Sequence, residues 1–595
     1  MPESLGDTLK YDFRLSTTAT TAILRFTSYL TIMVDARAYH ERTKHSPEKL
    51  RASTVTLDPQ TKPRPYKSYL NLSRVELARI RPPQQPALSA VAHSRADPIS
   101  GASSDPRFDA SRASGDAQSG RKAGSQLDRG RHTQLDRETL ATLCYEASGV
   151  IERAMLEDGR EILFRAASCT GKLYHIDLYP VVGDLDDLAA GVYHFDPQTF
   201  SLDVLRDGDY RGVLAEAIRD PAVERAPVTF VTTSTWWRNA WKYRARTYRH
   251  AFWDAGTVLA NLLAAAHAID LPASVTAGFA DDALVELLGV DSTWEAPIAL
   301  VPVGGADSET TESDRGTALP ESPSLTPLDA ETEPVSSDWT EYPLVHDAWK
   351  QSTLDDGTSV VDWRKQLSRT VGAGVTTPGG GERIPLDPVG VERQSRRPLY
   401  ATIRRRRSCR HYASEGPTRR QVGTVLDRAI RGVPSDWMDC QHTGDSDGDS
   451  GHTPSERAGL AFNDVYVLST GVEGVPDGTY QYHPGEAALE RLGDVTVEEK
   501  RRLALDQGWA GQAHVNVYLL ADIDTLVERL GNRGYRLAQL EAGVVLGRLY
   551  LATYAHRPLG GTGLTFYDDF VTDHLSPRAA DQTPTTLFVF GRAGE

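Results

Sequence analysis

The chain has 595 residues, too many for one core and enough for three or four units at about 150 residues each. Its 81 acidic residues outnumber its 65 basic ones, and the formal charge of −16 excludes a protein built for general binding to nucleic acid. Apolar residues at 40% suffice for sizeable cores, the four cysteines form no CxxC pair, and no run approaches the roughly 20 apolar residues of a membrane span. Unpaired cysteines and a strong preference for arginine over lysine point to a prokaryotic protein of the reducing cytoplasm.

Residues 1–32 read as an over-extended gene start, with Met33 as the natural one. Residues 33–83 form an N-terminal segment carrying YHERTKH (39–45) and PRPYKSYL (63–70), with His40 and His45 read as surface residues rather than ligands. Residues 84–135, rich in Ser, Gly, Asp, Arg and Gln, are a low-complexity insertion. A first globular body spans 136–304. It contains FRAASCTGKLYHIDLY (164–179), then three tryptophans at 236, 237 and 241, read as packing, and the pair Lys242-Tyr243.

Residues 305–340 are an acidic disordered linker, and 341–383 a connecting segment that runs into the Gly/Pro stretch TTPGGGERIPLDP (376–388). A second body, 384–595, opens on RRPLYATIRRRRSCRHY, passes through the Gly-rich turn PLGGTGLTFYDD and ends in VFGR. Within it, 445–456 spaces acidic residues like a calcium loop. Ser450 stands where the sharp turn needs glycine, so this is a surface insertion and no metal is expected.

The two bodies are copies of each other. At a constant offset of 287 positions, Arg246 matches Arg533, Tyr248 matches Tyr535, Arg249 matches Arg536 and Gly256 matches Gly543. The register continues through Asp281 and Asp568 to Gly304 and Gly591, and one register held for some sixty residues marks an internal duplication. Each copy reads as an α+β unit, with a helix of i, i+3, i+4 apolar spacing after the Tyr-Arg pair and a terminal apolar strand (IALVPVG, TLFVFG).

The RxSxR run Arg406, Ser408, Arg410 ahead of a Pro-led helix resembles the opening of the nitroreductase-like flavoenzymes. Two guanidinium forks and a hydroxyl spaced by two residues suit a phosphate. Gly560, Gly561 and Gly563 resemble the family's turn against the isoalloxazine edge, and Arg592 its second phosphate contact. In the first copy, Arg165, Ser168 and Gly171 resemble the segment that reaches the flavin from the neighbouring subunit. The two N-terminal motifs resemble the leader of the SagB/ThcOx-type dehydrogenases. Lys242-Tyr243 is similar to the Lys-Tyr pair that azoline oxidases of this branch use for proton transfer, with an ordinary helix-start Lys and a packed Tyr as the alternative.

The losses are complementary. The first copy has no RxSxR, and Ala273, Ser274, Thr276 and Gly305 stand at its counterparts of Gly560, Gly561, Gly563 and Arg592. The second copy keeps little of the Ser168 segment and has Arg529-Leu530 in place of Lys-Tyr. The resemblance therefore implies two tandem nitroreductase-like α+β domains forming an intramolecular pseudo-dimer, with one FMN per chain at their interface. The expected activity is a SagB-type dehydrogenase acting on a small molecule or modified peptide. An NAD(P)H-dependent nitro or quinone reductase, with nicotinamide bound only transiently, and a non-catalytic partner subunit are the alternatives. Further oligomerisation is left open.

Overall fold

The computed structural model describes residues 34–53, 56–92, 135–155, 161–220, 223, 225–304, 323–371, 379–439 and 459–594. The apolar terminal strands of the two bodies enter two separate antiparallel sheets. In the first, six strands run in the order Arg74–Glu76, Ser201–Asp207, Gly191–Asp196, Ile176–Val182, Val228–Thr235 and Glu295–Val303. In the second, seven run in the order Leu559–Leu564, Thr583–Arg592, Val515–Ala521, Asp464–Ser469, Gly478–His483, Ala488–Gly493 and Arg383–Pro385. Val228–Thr235 and Val515–Ala521 are buried along their whole length, which explains their nearly unbroken apolar or β-branched composition.

Between the sheets lie two long helices, Thr247–His267 and Arg533–Ala555, packed across one another. They touch backbone to backbone at Gly256 and Gly543. A Cβ on Gly256 would lie 2.2 Å from the Gly543 carbonyl carbon, and one on Gly543 would lie 2.5 Å from the Phe252 carbonyl oxygen. No larger residue fits either position.

Arginines at the start of each long helix are neutralised by an aspartate of the opposite body. Asp568 accepts from Arg249 at 2.6 Å and Arg246 at 3.3 Å, while Asp281 accepts from Arg533 at 2.6 Å and Arg536 at 2.7 Å. Burial alone would raise the Asp568 carboxyl, but Arg246 and Arg249 hold it well below the usual range.

Two short helices complete these centres from outside. Next to Ala36–Thr43, the carbonyl of His40 accepts from Arg249, that of Thr43 from Arg246, and the amide of His45 donates to Asp568. Beside Pro343–Lys350, the carbonyls of Trp349 and Ser352 and the amide of Leu354 make the same three bonds to Arg536, Arg533 and Asp281. His40 is thus not a surface residue. It is 3% exposed, its Nδ1 lies 3.2 Å from the Tyr535 hydroxyl, and burial followed by Arg249 drives its pKa far down. His45 is largely buried too, with its pKa lowered to about 3 by burial and Arg246.

Three further expectations are corrected. Within 84–135, residues 86–92 are packed chain, and Ala87–Val91 is a buried helix against both long helices, with the Ala87 amide donating to Arg397 and the Gln85 carbonyl just before it accepting from Leu399. Its ALSAV sequence is short and small-residued, so it fits a narrow gap without showing a periodic pattern. Within 305–340, residues 323–340 lie on the first sheet's body, with Leu325 and Leu328 against its core. PLGGTGL is a strand rather than a turn. Residues 1–32, Gly305 and the 445–456 loop lie outside the described residues. Among the described residues no helix is long and apolar enough to cross a membrane.

Candidate active site

The loop 166–175 of the first body is held under conformational strain. Gly171, Lys172 and Tyr174 have φ of 66°, 57° and 46°, and only the first is a residue that adopts such values freely. Asp254, on the first long helix, supplies the compensation. Its carboxylate accepts from the amide and hydroxyl of Thr170, from the Cys169 thiol at 3.1 Å and from His175 Nε2 at 2.8 Å. Burial, then Asp254, raises the Cys169 pKa far above its ordinary value, so this thiol is a hydrogen-bond donor and not a nucleophile.

Against this loop lies the pair singled out in the sequence. A Cβ on Gly171 would stand 2.9 Å from the Tyr243 hydroxyl, so the phenol rests on the glycine's bare face. Lys242 Nζ sits 5.2 Å from the Tyr243 ring centre. Burial, then Asp254 and Cys169, raises the Tyr243 pKa, so its hydroxyl stays protonated and can donate. Burial, then Arg410 and Lys62, lowers that of Lys242. Burial, then Arg410, Lys62 and Arg407, does the same to Lys172.

Those last causes bring the second body into the same place. Arg410 and Arg407 belong to the RxSxR run, yet Arg410 acts on both lysines of the first body and Arg407, itself paired with Glu152, on Lys172. Arg406 spans the joint outright: its Nη2 donates to the carbonyls of Arg165 at 3.0 Å and Ala167 at 3.1 Å, and its Nε to Ala166 at 3.3 Å. This corrects its assignment as a phosphate fork, because most of its donors are already spent on the loop. Ser408 and Arg410 are exposed, with Arg410 over the Trp509 ring at 5.2 Å.

The glycine strand lies alongside. The Cys409 amide donates to Gly561, and a Cβ on Gly560 would come within 2.9 Å of the Cys409 side chain. Gly563 receives the Tyr550 hydroxyl as acceptor for its amide at 2.6 Å. Gly560 therefore permits close approach of the 406–410 run, while a Cβ on Gly561 would meet Phe588 and Val589 and one on Gly563 would meet Leu546.

Two more assignments change. Arg165 is 2% exposed and directed into its own body, donating to the Ser148 carbonyl at 2.7 Å and to the Ser148 hydroxyl; it supports the loop from behind. Arg592 is paired with Glu415 at 2.9 Å and half exposed. Ser168 is partly exposed in the loop, its carbonyl held by Thr257 at 2.7 Å. Asp254 and Lys172 were missed in the sequence. Asp254 matters through contacts 79 to 85 residues away, while Lys172 stands inside the quoted FRAASCTGKLYH motif and only its charge could have flagged it.

At the first copy's counterpart of the glycine strand, residues 273–276, the chain is tied to the second body. There the amide of Val275 donates to Pro434, Asp436 accepts from Ala277 and Gly278, and Trp437 is fully buried beside them.

A joint at which cationic side chains of both bodies stand near a Lys-Tyr pair is a candidate site for an anionic cofactor or substrate. Residues 145–305 match the family model described as Nitroreductase family. A protein of Methanocaldococcus jannaschii named as a nitroreductase is 25% identical over 142 residues, covering 24% of this chain and 70% of that protein. A crystal structure from Anabaena variabilis, also named as a nitroreductase, covers 94% of this chain and 99% of its own at 22% identity, with a TM-score of 0.66. One from Ralstonia eutropha covers 30% and 77% at 20% identity, with a TM-score of 0.24. The chain thus has a nitroreductase-like α+β fold.

Proposed function

We propose that the chain is an FMN-dependent oxidoreductase in which two duplicated nitroreductase-like domains, 136–304 and 384–595, form an intramolecular pseudo-dimer with one flavin site at the joint. The observation that carries this reading is the seating of the RxSxR run on the first body: Arg406 donates to the carbonyls of Arg165, Ala166 and Ala167, in the loop whose Gly171 carries Tyr243, with Ser408 and Arg410 exposed and Arg410 among the charges that act on Lys172 and Lys242. A dianionic phosphate is the group such a cluster accommodates. Ser408, Arg410 and Lys172 would hold it, and the complementary losses of the two copies argue for a single site.

FMN, when bound, supplies a hydride acceptor. The chain's own part is to position the substrate and move its proton. Lys242, whose positive neighbours favour its free amine, takes the proton; Tyr243, held protonated over Gly171, donates a hydrogen bond to the reacting group. This favours a SagB-type dehydrogenase acting on a small molecule or modified peptide over an NAD(P)H-driven reductase, which needs no such base.

Stopped-flow reduction of the flavin-loaded protein distinguishes them. Lys242→Ala should retain flavin and slow reduction by a candidate azoline by about a hundred- to ten-thousandfold, with Tyr243→Phe slower in the same sense. Equal rates for wild type and both variants, with azoline and with NADH, would leave the pair as packing and favour the reductase.

A further inference from the structure

We propose that Cys169, His175 and Asp254 bind one zinc ion, which clamps the strained loop of the first body to its long helix. Cys169 and His175 bracket the loop's turn, and Asp254 faces them from the helix Thr247–His267. One donor atom from each residue, the Cys169 Sγ, the His175 Nε2 and an Asp254 oxygen, lies within 4.8 Å of the other two. Sulphur to Asp254 Oδ2 is 3.1 Å, and His175 Nε2 to the same oxygen is 2.8 Å. Ligand bonds of about 2.0–2.3 Å in a tetrahedral site set donor atoms about 3.3–3.6 Å apart. Small side-chain rotations therefore open this triangle to the size the ion needs.

The surroundings suit a metal as well as the donors do. The Cys169 sulphur accepts from the amide of Tyr174 at 2.9 Å, and the His175 amide acts on it in the same sense; both favour the thiolate that a metal requires. His175 Nδ1 lies 2.8 Å from the Ser234 hydroxyl. With its proton directed there, Nε2 presents a lone pair. The second oxygen of Asp254 accepts from the amide and hydroxyl of Thr170, which fixes the carboxylate's orientation. Thiolate, imidazole and carboxylate together are a zinc set, softer than calcium or magnesium prefer.

A cavity of about 10 Å³ adjoins Cys169 and Asp254, room for one water as fourth ligand. Arg165 also lines it, with its guanidinium tied to Ser148 and to the carbonyls of Pro65 and Tyr174. Binding forms bonds from zinc to sulphur, nitrogen and oxygen and releases the thiol proton to water; no electron moves. Thiolate and carboxylate cancel the ion's two charges. The same loop seats Arg406 through the carbonyls of 165–167 and Tyr243 on Gly171, so the ion would brace the joint whatever the joint binds.

Cobalt(II) titration of the full, untagged, chelator-treated chain tests this, because cobalt replaces zinc and reports its ligands by colour. One ion per chain should bind with a Kd below about 10 μM, giving a thiolate-to-cobalt charge-transfer band that zinc abolishes. Cys169→Ser, which keeps a hydroxyl for Asp254, should lose the band. Cys144→Ala, Cys409→Ser and Cys440→Ser should each keep it, and these locate the sulphur by elimination should Cys169→Ser not fold. Added zinc should raise the melting temperature of the chelated wild type. No band, weaker binding, a band kept by folded Cys169→Ser or lost with another cysteine, or an unmoved melting temperature would overturn the proposal.

Discussion

At the scale of single residues, the site works by crowding like charges. Arg410 and Lys62 stand near Lys242 and lower its pKa after burial has done so, which raises the fraction of free amine near neutral pH. A base of this kind gives a rate that climbs with pH, with its midpoint below the ordinary lysine value. Lys62→Gln removes one positive neighbour and lies outside the proposed phosphate grip. It should keep flavin and shift the rising limb of the pH–rate profile to higher pH; an unmoved limb would show that Lys242 does not titrate in the reaction. The RxSxR arginines separate in the same way. Arg410→Ala removes a free donor and should weaken FMN binding by about tenfold or more, since a charge-assisted bond is worth about 1.5–3 kcal/mol. Arg406→Ala instead removes bonds to three carbonyls across the joint, so its larger effect should fall on melting temperature, followed by calorimetry with and without excess FMN.

At the scale of elements, the two long helices and the aspartates opposite them decide whether the bodies stay together. Asp568→Asn leaves Arg246 and Arg249 buried without their counter-charge, at a cost of about 3–5 kcal/mol. The pH sign follows from the depressed carboxyl: its contribution is full above the unfolded carboxylate range near pH 4 and fades as pH falls through the lower native value. The variant should therefore be less stable at pH 7 and lose less than wild type on acidification. Gly543→Val tests the crossing, since its side chain would enter the Phe252–Trp253 backbone; a loss of at least about 3 kcal/mol is expected in urea melts, with both bodies unfolding together. The residues spaced 287 apart in the sequence are the ones that carry these pairs and this crossing. Their side chains do the work, so they left a readable pattern. The helices Ala36–Thr43 and Pro343–Lys350 occupy matching places through carbonyls and amides, which any residue supplies, and only Thr43 and Ser352 hint at it. The same reason hid Ala87–Val91 and the packed stretch 323–340, whose partners lie far away in sequence.

For the whole molecule, the complementary losses of the two copies predict unequal halves. Flavin released by heat and measured against protein should approach one per chain; a ratio near two would contradict the single-site reading. The formal charge of −16 implies self-repulsion that salt screens, so flavin retention should be compared at matched ionic strength. The acidic composition was no guide to the joint, where Lys62, Lys172 and Lys242 stand near Arg410. Net charge averages over a molecule and cannot reveal such a local excess.

The crossed aspartates also set an order of events during synthesis. Arg249 leaves the ribosome 319 residues before Asp568. At about 5–20 residues per second, that interval lasts on the order of 15–60 s. Throughout it, the first body holds two arginines destined for burial with no acid to receive them, and the helix face that will meet Gly543 is bare. A nascent chain in this state must be sheltered by chaperones or remain loosely packed until its last stretch appears. A message truncated before codon 568 would yield a product that never closes, and proteases would meet it as an unfinished chain rather than as half an enzyme.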